Sequence, residues 1–145
     1  MHPLFRFASL VLAALPAVAT AAALQPGLYE VSLQLVMRGT PLQLPVRVVQ
    51  QCATPREIVN GSAYAASEAG LPCAVSRLQQ VGDTVNYHFS CPTAGGGRMV
   101  GRASGSSHAA GWDVLMGGRY VPSLEGMREF TQRAWARRIG DCTPR

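Results

Sequence analysis

The sequence predicts an α+β fold: an antiparallel sheet of about six strands in sequential hairpins, a C-terminal helix packed on one face, and disulfides stapling the two together. Three observations carry this. Leu71–Pro92 alternates apolar and polar residues on either side of Val81-Gly82-Asp83-Thr84, as two half-buried strands joined by a tight turn do. Leu28–Met37 and Trp112–Tyr120 show the same two-residue period. From Ser123 to about Arg138 the period changes: Leu124, Met127, Phe130, Ala134, Trp135 and Ile139 fall in one half of a helical wheel, opposite Glu125, Glu129, Arg133 and Arg137. A small closed β-barrel with the helix across one mouth is the alternative architecture.

The chain has 145 residues, enough for one domain, and its first stretch stands apart from that domain. Met1–Arg6 is positively charged, Phe7–Val18 is apolar, and Ala19-Thr20-Ala21 and Ala21-Ala22-Ala23 fit a small-x-small cleavage site. This predicts a secretory signal peptide over 1–23 and a single disulfide-containing domain over 24–145. The apolar run is shorter than the ~20 residues of a spanning helix and is broken by Pro16. No transmembrane segment is expected in the mature chain.

Export makes disulfides the default state of Cys52, Cys73, Cys91 and Cys142. Four cysteines allow three pairings. Within the hairpin a bulge or a three-residue loop sets Cys73 opposite Cys91, which favours that pair and leaves Cys52 with Cys142. The chain lacks Cys-x-x-Cys, and neither His88 nor His108 sits at zinc-ligand spacing from a cysteine. No metal, redox activity or cofactor is expected. Formal net charge is +5, and all thirteen basic residues are arginine. The missing lysines and the abundance of Ala, Gly and Arg point to a GC-rich bacterial genome, hence a periplasmic or secreted product.

Taken in order, Pro26-Gly27 turns the chain into a first strand, Leu28–Met37, with Tyr29, Val31, Leu33, Leu35 and Met37 on its apolar face. After Arg38-Gly39-Thr40-Pro41, Leu42, Leu44, Val46 and Val48 point one way, and counting on by twos puts Cys52 on that apolar face. Pro45 removes a ladder donor, so this strand belongs at an edge. Thr54-Pro55-Arg56-Glu57 starts a short helix with a capping box, and Asn60-Gly61 stops it. A second short helical piece is expected over 62–69. In the hairpin, Val75 pairs with Phe89, Arg77 with Tyr87 and Gln79 with Val85, and the Arg77 stem lies along Tyr87. Met99–Ser107 is a weak strand of small residues and 104–111 a loose connection. Gly117-Gly118 marks a bulge or a close backbone approach.

Pro26-Gly27-Leu28-Tyr29-Glu30, the four spaced cysteines, Cys52-Ala53-Thr54-Pro55 and Arg138-Ile139-Gly140-Asp141-Cys142 resemble a large bacterial family of small exported proteins. It is known only as a domain of unknown function, opening with Pro-Gly-Leu-Trp-Glu; this chain has Tyr29 in place of the Trp. The resemblance implies a periplasmic location and four half-cystines. It implies no activity and no catalytic residue.

Chemistry is sparse. Ser104, Ser106 and Ser107 are candidate nucleophiles, His88 and His108 candidate bases, and Asp83 and Asp113 candidate orienters. Ser107-His108 are chain neighbours in a Gly/Ser/Ala-rich stretch, and no nucleophile-elbow motif is present. Glu30 and Glu57 have structural roles, on a strand face and in a cap. Gly95-Gly96-Gly97 precedes a strand, so it is no phosphate cradle. The arginines lack interleaved aromatics, and no nucleic-acid partner is expected. Arg128, Arg133, Arg137 and Arg138 form the densest basic cluster, a candidate anion contact on the last helix. The expectation is a non-enzymatic module that binds an unidentified partner or ligand in the cell envelope. A carrier of a lipophilic ligand, suggested by Met37, Met99, Met116 and Met127, ranks second, and a hydrolase third.

Overall fold

The computed structural model describes residues 23–36, 44–67, 70–124 and 126–143. The predicted signal peptide falls almost wholly outside these residues, as do Met37 and the start of the predicted second strand.

Alternation in the sequence becomes seven strands: β1 (Gly27–Leu35), β2 (Arg47–Ala53), β3 (Ala74–Val81), β4 (Thr84–Pro92), β5 (Arg98–His108), β6 (Gly111–Leu124) and β7 (Met127–Gly140). Between β2 and β3 lie the helix α1 (Pro55–Asn60) and a 3-10 turn, Ser62–Tyr64. All pairings are antiparallel, in the order β2-β1-β7-β6-β5-β4-β3. The sheet is open, with β2 and β3 at its two ends, so the closed-barrel alternative is overturned.

The expected C-terminal helix is β7, and the fold is mostly β rather than α+β. Helix formers fill this segment, but β7 lies between β1 and β6 with both edges paired. Its buried row is Phe130, Gln132, Ala134 and Ala136. A strand face built of a polar residue and two alanines shows no alternation in hydrophobicity, whereas the larger Trp135 and Ile139 on the opposite face complete a helical stripe. Here tertiary pairing overrides local propensity.

Four other expectations change. Cys52 faces the side opposite the core, because Val49 pairs with Val31 and Gln51 with Tyr29. The neighbours Val48 and Val49 let the sequence be read in either phase; Val48 is exposed and Ala53 buried. β5 runs on to His108, replacing the loose connection. In the hairpin, Val75 pairs with Phe89 as expected, but a bulge at 77–78 moves Gln79 opposite Asn86 and Gln80 opposite Val85. Tyr87 no longer has Arg77 as its ladder partner; it is buried with Val85 and Phe89 on the core side of β4 and donates its hydroxyl to the Tyr64 carbonyl. β2 does lie at an edge, and α1 has the capping box at Thr54 and Glu57 with Gly61 as its left-handed stop. The second helical piece is confined to 62–64.

One face of the sheet is covered. Ala63 to Ser67 cross it, and Tyr64 is wholly buried, meeting Tyr87 and Trp112 with ring centroids 6.5 Å away in each case. The other half of this face closes over a Phe89–Gly101–Gly118–Phe130 row, running across four adjacent strands. β4 and β7 are three strand spacings apart, about 14 Å. The two phenylalanine ring centroids nevertheless lie 6.1 Å apart, and Tyr120 leans on Phe130 at 5.1 Å with the rings tilted by 49°. The glycines leave the space between. A Cβ on Gly101 would lie 2.1 Å from the Gly117 carbonyl oxygen, and one on Gly118 2.1 Å from that of Val100. The Gly117-Gly118 signal thus resolves into close backbone approach, with no break in the β5–β6 register.

Two disulfides staple the ends. Cys52–Cys142 (Cα–Cα 5.6 Å) ties edge strand β2 to the tail beyond β7, and Cys73–Cys91 (4.3 Å) bridges the approach to β3 with β4. In the chain-entropy account, closing loops of these separations is worth about 3–5 kcal/mol each.

Two predictions follow from the packing. Gly101→Ala drives a methyl group into backbone and should cost about 1–3 kcal/mol in urea unfolding, whereas Gly117→Ala, whose Cβ meets nothing within 4 Å, should stay within about 0.5 kcal/mol. Burial holds the Tyr87 phenol well above its ordinary value of 10.0. The folded state therefore keeps the proton that the unfolded chain loses, and stability present below pH 10 declines as pH rises further. Tyr87→Phe should cost about 1–3 kcal/mol at neutral pH by stranding the Tyr64 carbonyl, and should flatten that alkaline decline.

Candidate functional site

The uncovered face of the sheet carries a trough. Ladder register sets Ser76, His88, Arg102, Gly117 and Thr131 in one row, with Val100, Arg119 and Glu129 in the next on the same face. Val36 continues the first row by donating its backbone N–H to the Thr131 carbonyl, and the Gln34 side chain reaches over to the Leu44 carbonyl. An open hollow of about 1200 Å³ lies over these rows, lined also by Leu35 and by Phe89, Gly101, Gly118 and Phe130 of the aromatic row. A second hollow of about 460 Å³ adjoins it over β3, β4 and β5, and His88 and Arg102 line both.

The trough changes character along its length. At the β1 end Val36 and Leu44 form an apolar wall. In the middle Gly117 leaves the floor bare. Toward β3 the lining turns polar and basic: Arg102, His88, Asn86, Ser104, Gln79 and Arg77.

Arg77 is placed there by a backbone irregularity. It sits in the β3 bulge at φ 53, and among the described residues no other non-glycine has positive φ. The left-handed region costs an L-residue about 1–2 kcal/mol, and a bulge re-aims the side chain it carries. The side chains of Arg77, Arg102 and Arg119 form no hydrogen bond or ion pair among the described residues, although Arg119 stands opposite Glu129 in the ladder.

The four arginines singled out in the sequence are arranged differently. On a strand instead of a helix they no longer share one face. Arg133 grips Asp113 through two nitrogens, at 3.2 and 2.5 Å, and lies 5.2 Å over the Trp135 ring. This hydrogen-bonded partner raises the Arg133 pKa further above its ordinary value. Arg137 pairs with Glu30 at 2.8 Å. Arg138 pairs with Asp141 and donates to the Pro26 carbonyl at 2.9 Å. Arg128 is exposed. Carboxylates thus already occupy three of the four.

The candidate hydrolase groups are scattered. Ser107 is buried on the covered face while His108 points the other way, its Nδ1 accepting the Ala110 N–H at 3.3 Å. Asp113 is engaged by Arg133, and Asp83 uses its backbone carbonyl to accept from the Ser107 N–H at 2.7 Å. Among the described residues no side-chain hydrogen bond joins Ser104, Ser106 or Ser107 to His88 or His108, and no three His, Cys, Asp or Glu residues are grouped as metal ligands.

The chain belongs to the family described as protein of unknown function (DUF3617), whose model matches residues 24–142. No curated protein and no solved structure matches it.

If Arg77 is held in its conformation by the bulge, relieving the strain should stabilise the protein. Arg77→Gly should raise stability by up to about 1 kcal/mol in urea unfolding, against the usual direction for a strand glycine.

Proposed function

We propose that this DUF3617 chain is an exported, non-enzymatic binding module of the cell envelope, presenting its open-face trough to a ligand outside the cytoplasm. The observation that carries the reading is the contrast between the two faces. One is filled by Tyr64; the other carries the Ser76–Thr131 row under a large hollow that also reaches Phe89 and Phe130, and its Arg102 and Arg119 side chains have no partner among the described residues. Export is supported by the charged, apolar and small-residue pattern of 1–23 and suits a chain whose four cysteines are all disulfide-bonded. No helix among the described residues is long and apolar enough to cross a membrane.

The carrier reading narrows accordingly. Met99 and Met116 are buried in the core, so they line no ligand space. A lipophilic ligand would have to lie in the trough.

Expression with the native leader in a bacterial host, followed by fractionation and intact mass, tests the proposal. The expected product is an extracytoplasmic chain starting near Ala22–Leu24 with no free thiol. A full-length cytoplasmic product with free sulfhydryls overturns export, and turnover of any hydrolysable substrate that His88→Ala abolishes overturns the non-enzymatic reading.

A further inference from the structure

We infer that the trough binds a single-chain amphipathic anion, its phosphate or carboxylate head held among Arg77, Arg102 and His88 and its alkyl chain laid over Gly117 toward Val36 and Leu44. The inference rests on the reading of the trough as a binding surface and names the chemistry it takes.

Three independent features converge. The first is charge. Arg77 and Arg102 line one hollow and, among the described residues, have no acidic partner, whereas Arg133, Arg137 and Arg138 each have one. Guanidinium groups present forked donors that match phosphate and carboxylate oxygens. Gln79, Asn86 and Ser104 in the same lining add neutral donors around such a head. The second is strain. A left-handed arginine in a bulge costs free energy, and strained backbone of this kind gathers at ligand sites.

The third is Gly117. Gly101 and Gly118 are glycines because a side chain would strike backbone; Gly117 is free of that constraint, with no atom within 4 Å of a built Cβ and no positive φ. What the missing side chain provides is a low point in the row, between Arg102 and the small Thr131. From β5 to β1 the row crosses three strand spacings, about 14 Å, the reach of an alkyl chain of roughly ten to twelve carbons.

Isothermal titration of the oxidised mature protein with dodecyl phosphate, dodecanoate, inorganic phosphate and dodecanol, each alkyl probe below its micellar concentration, tests this. One or both alkyl anions should bind at 1:1, at least tenfold more tightly than inorganic phosphate or dodecanol, and their ratio identifies the preferred head. Arg102→Gln and Arg77→Gln should each weaken binding at least tenfold. Gly117→Leu, which the backbone accommodates, should do the same for the alkyl anions while leaving urea unfolding unchanged. Absence of saturable heat with both alkyl anions overturns the inference, as does equal binding by the arginine variants. Inorganic phosphate binding as tightly as dodecyl phosphate, with Gly117→Leu neutral, overturns the amphiphile but leaves a module for simple anions. A cytoplasmic, thiol-bearing product would instead defeat the exported-module reading, whatever the titrations give.

Discussion

The close facing of Gly101 and Gly118 across β5 and β6 is the constraint on which the architecture depends. With no side chains there, the backbones approach to distances that a single methyl group would forbid. On the covered side, Phe89 and Phe130 reach over the gap and join halves of the core that belong to different hairpins. On the opposite side, the same segment runs into Gly117 and leaves a hollow instead of a ridge. Core and trough are thus two faces of one stretch of side-chain-free ladder.

Around this centre the sheet is held by contacts distant in sequence. β1 lies next to β7, so the first strand of the described chain completes its ladder only with the last. The Cys52–Cys142 bridge fastens the outermost strand to that same region. Such non-local pairing carries a loop-closure cost that short hairpins avoid, and the disulfide offsets part of it by restricting the unfolded chain.

Much of this was legible in the sequence. Clean alternation located β1 and β4, and the capping box with its glycine stop located α1. The Gly-Asp turn fixed the hairpin, and an edge position for β2 followed from Pro45. Where legibility failed, the reason is physical. β7 buries Gln132, Ala134 and Ala136, residues that carry no strand signature, and only pairing on both sides makes them a core row. In β2 two adjacent valines left the phase ambiguous until Val31 selected one of them. The trough was the least visible feature. Its lining comes in ones, twos and threes from segments scattered between 35 and 131, brought together by register, and no local motif announces it. In the sequence Gly117 reads only as half of a glycine pair, although its neighbour does the opposite job. Clustering in sequence singled out the arginines of 128–138, whereas spacing across strands sets Arg77 beside Arg102.

The bulge at Arg77 also bears on how the molecule avoids its own kind. β3 closes one end of an open sheet, where a regular row of free peptide groups would invite the edge of another chain. A kinked border bearing a guanidinium is a poor template for such docking, because the incoming strand would lose its register and bury a charge. The irregularity that brings Arg77 into the trough lining therefore also makes this border an unfavourable one for strand addition.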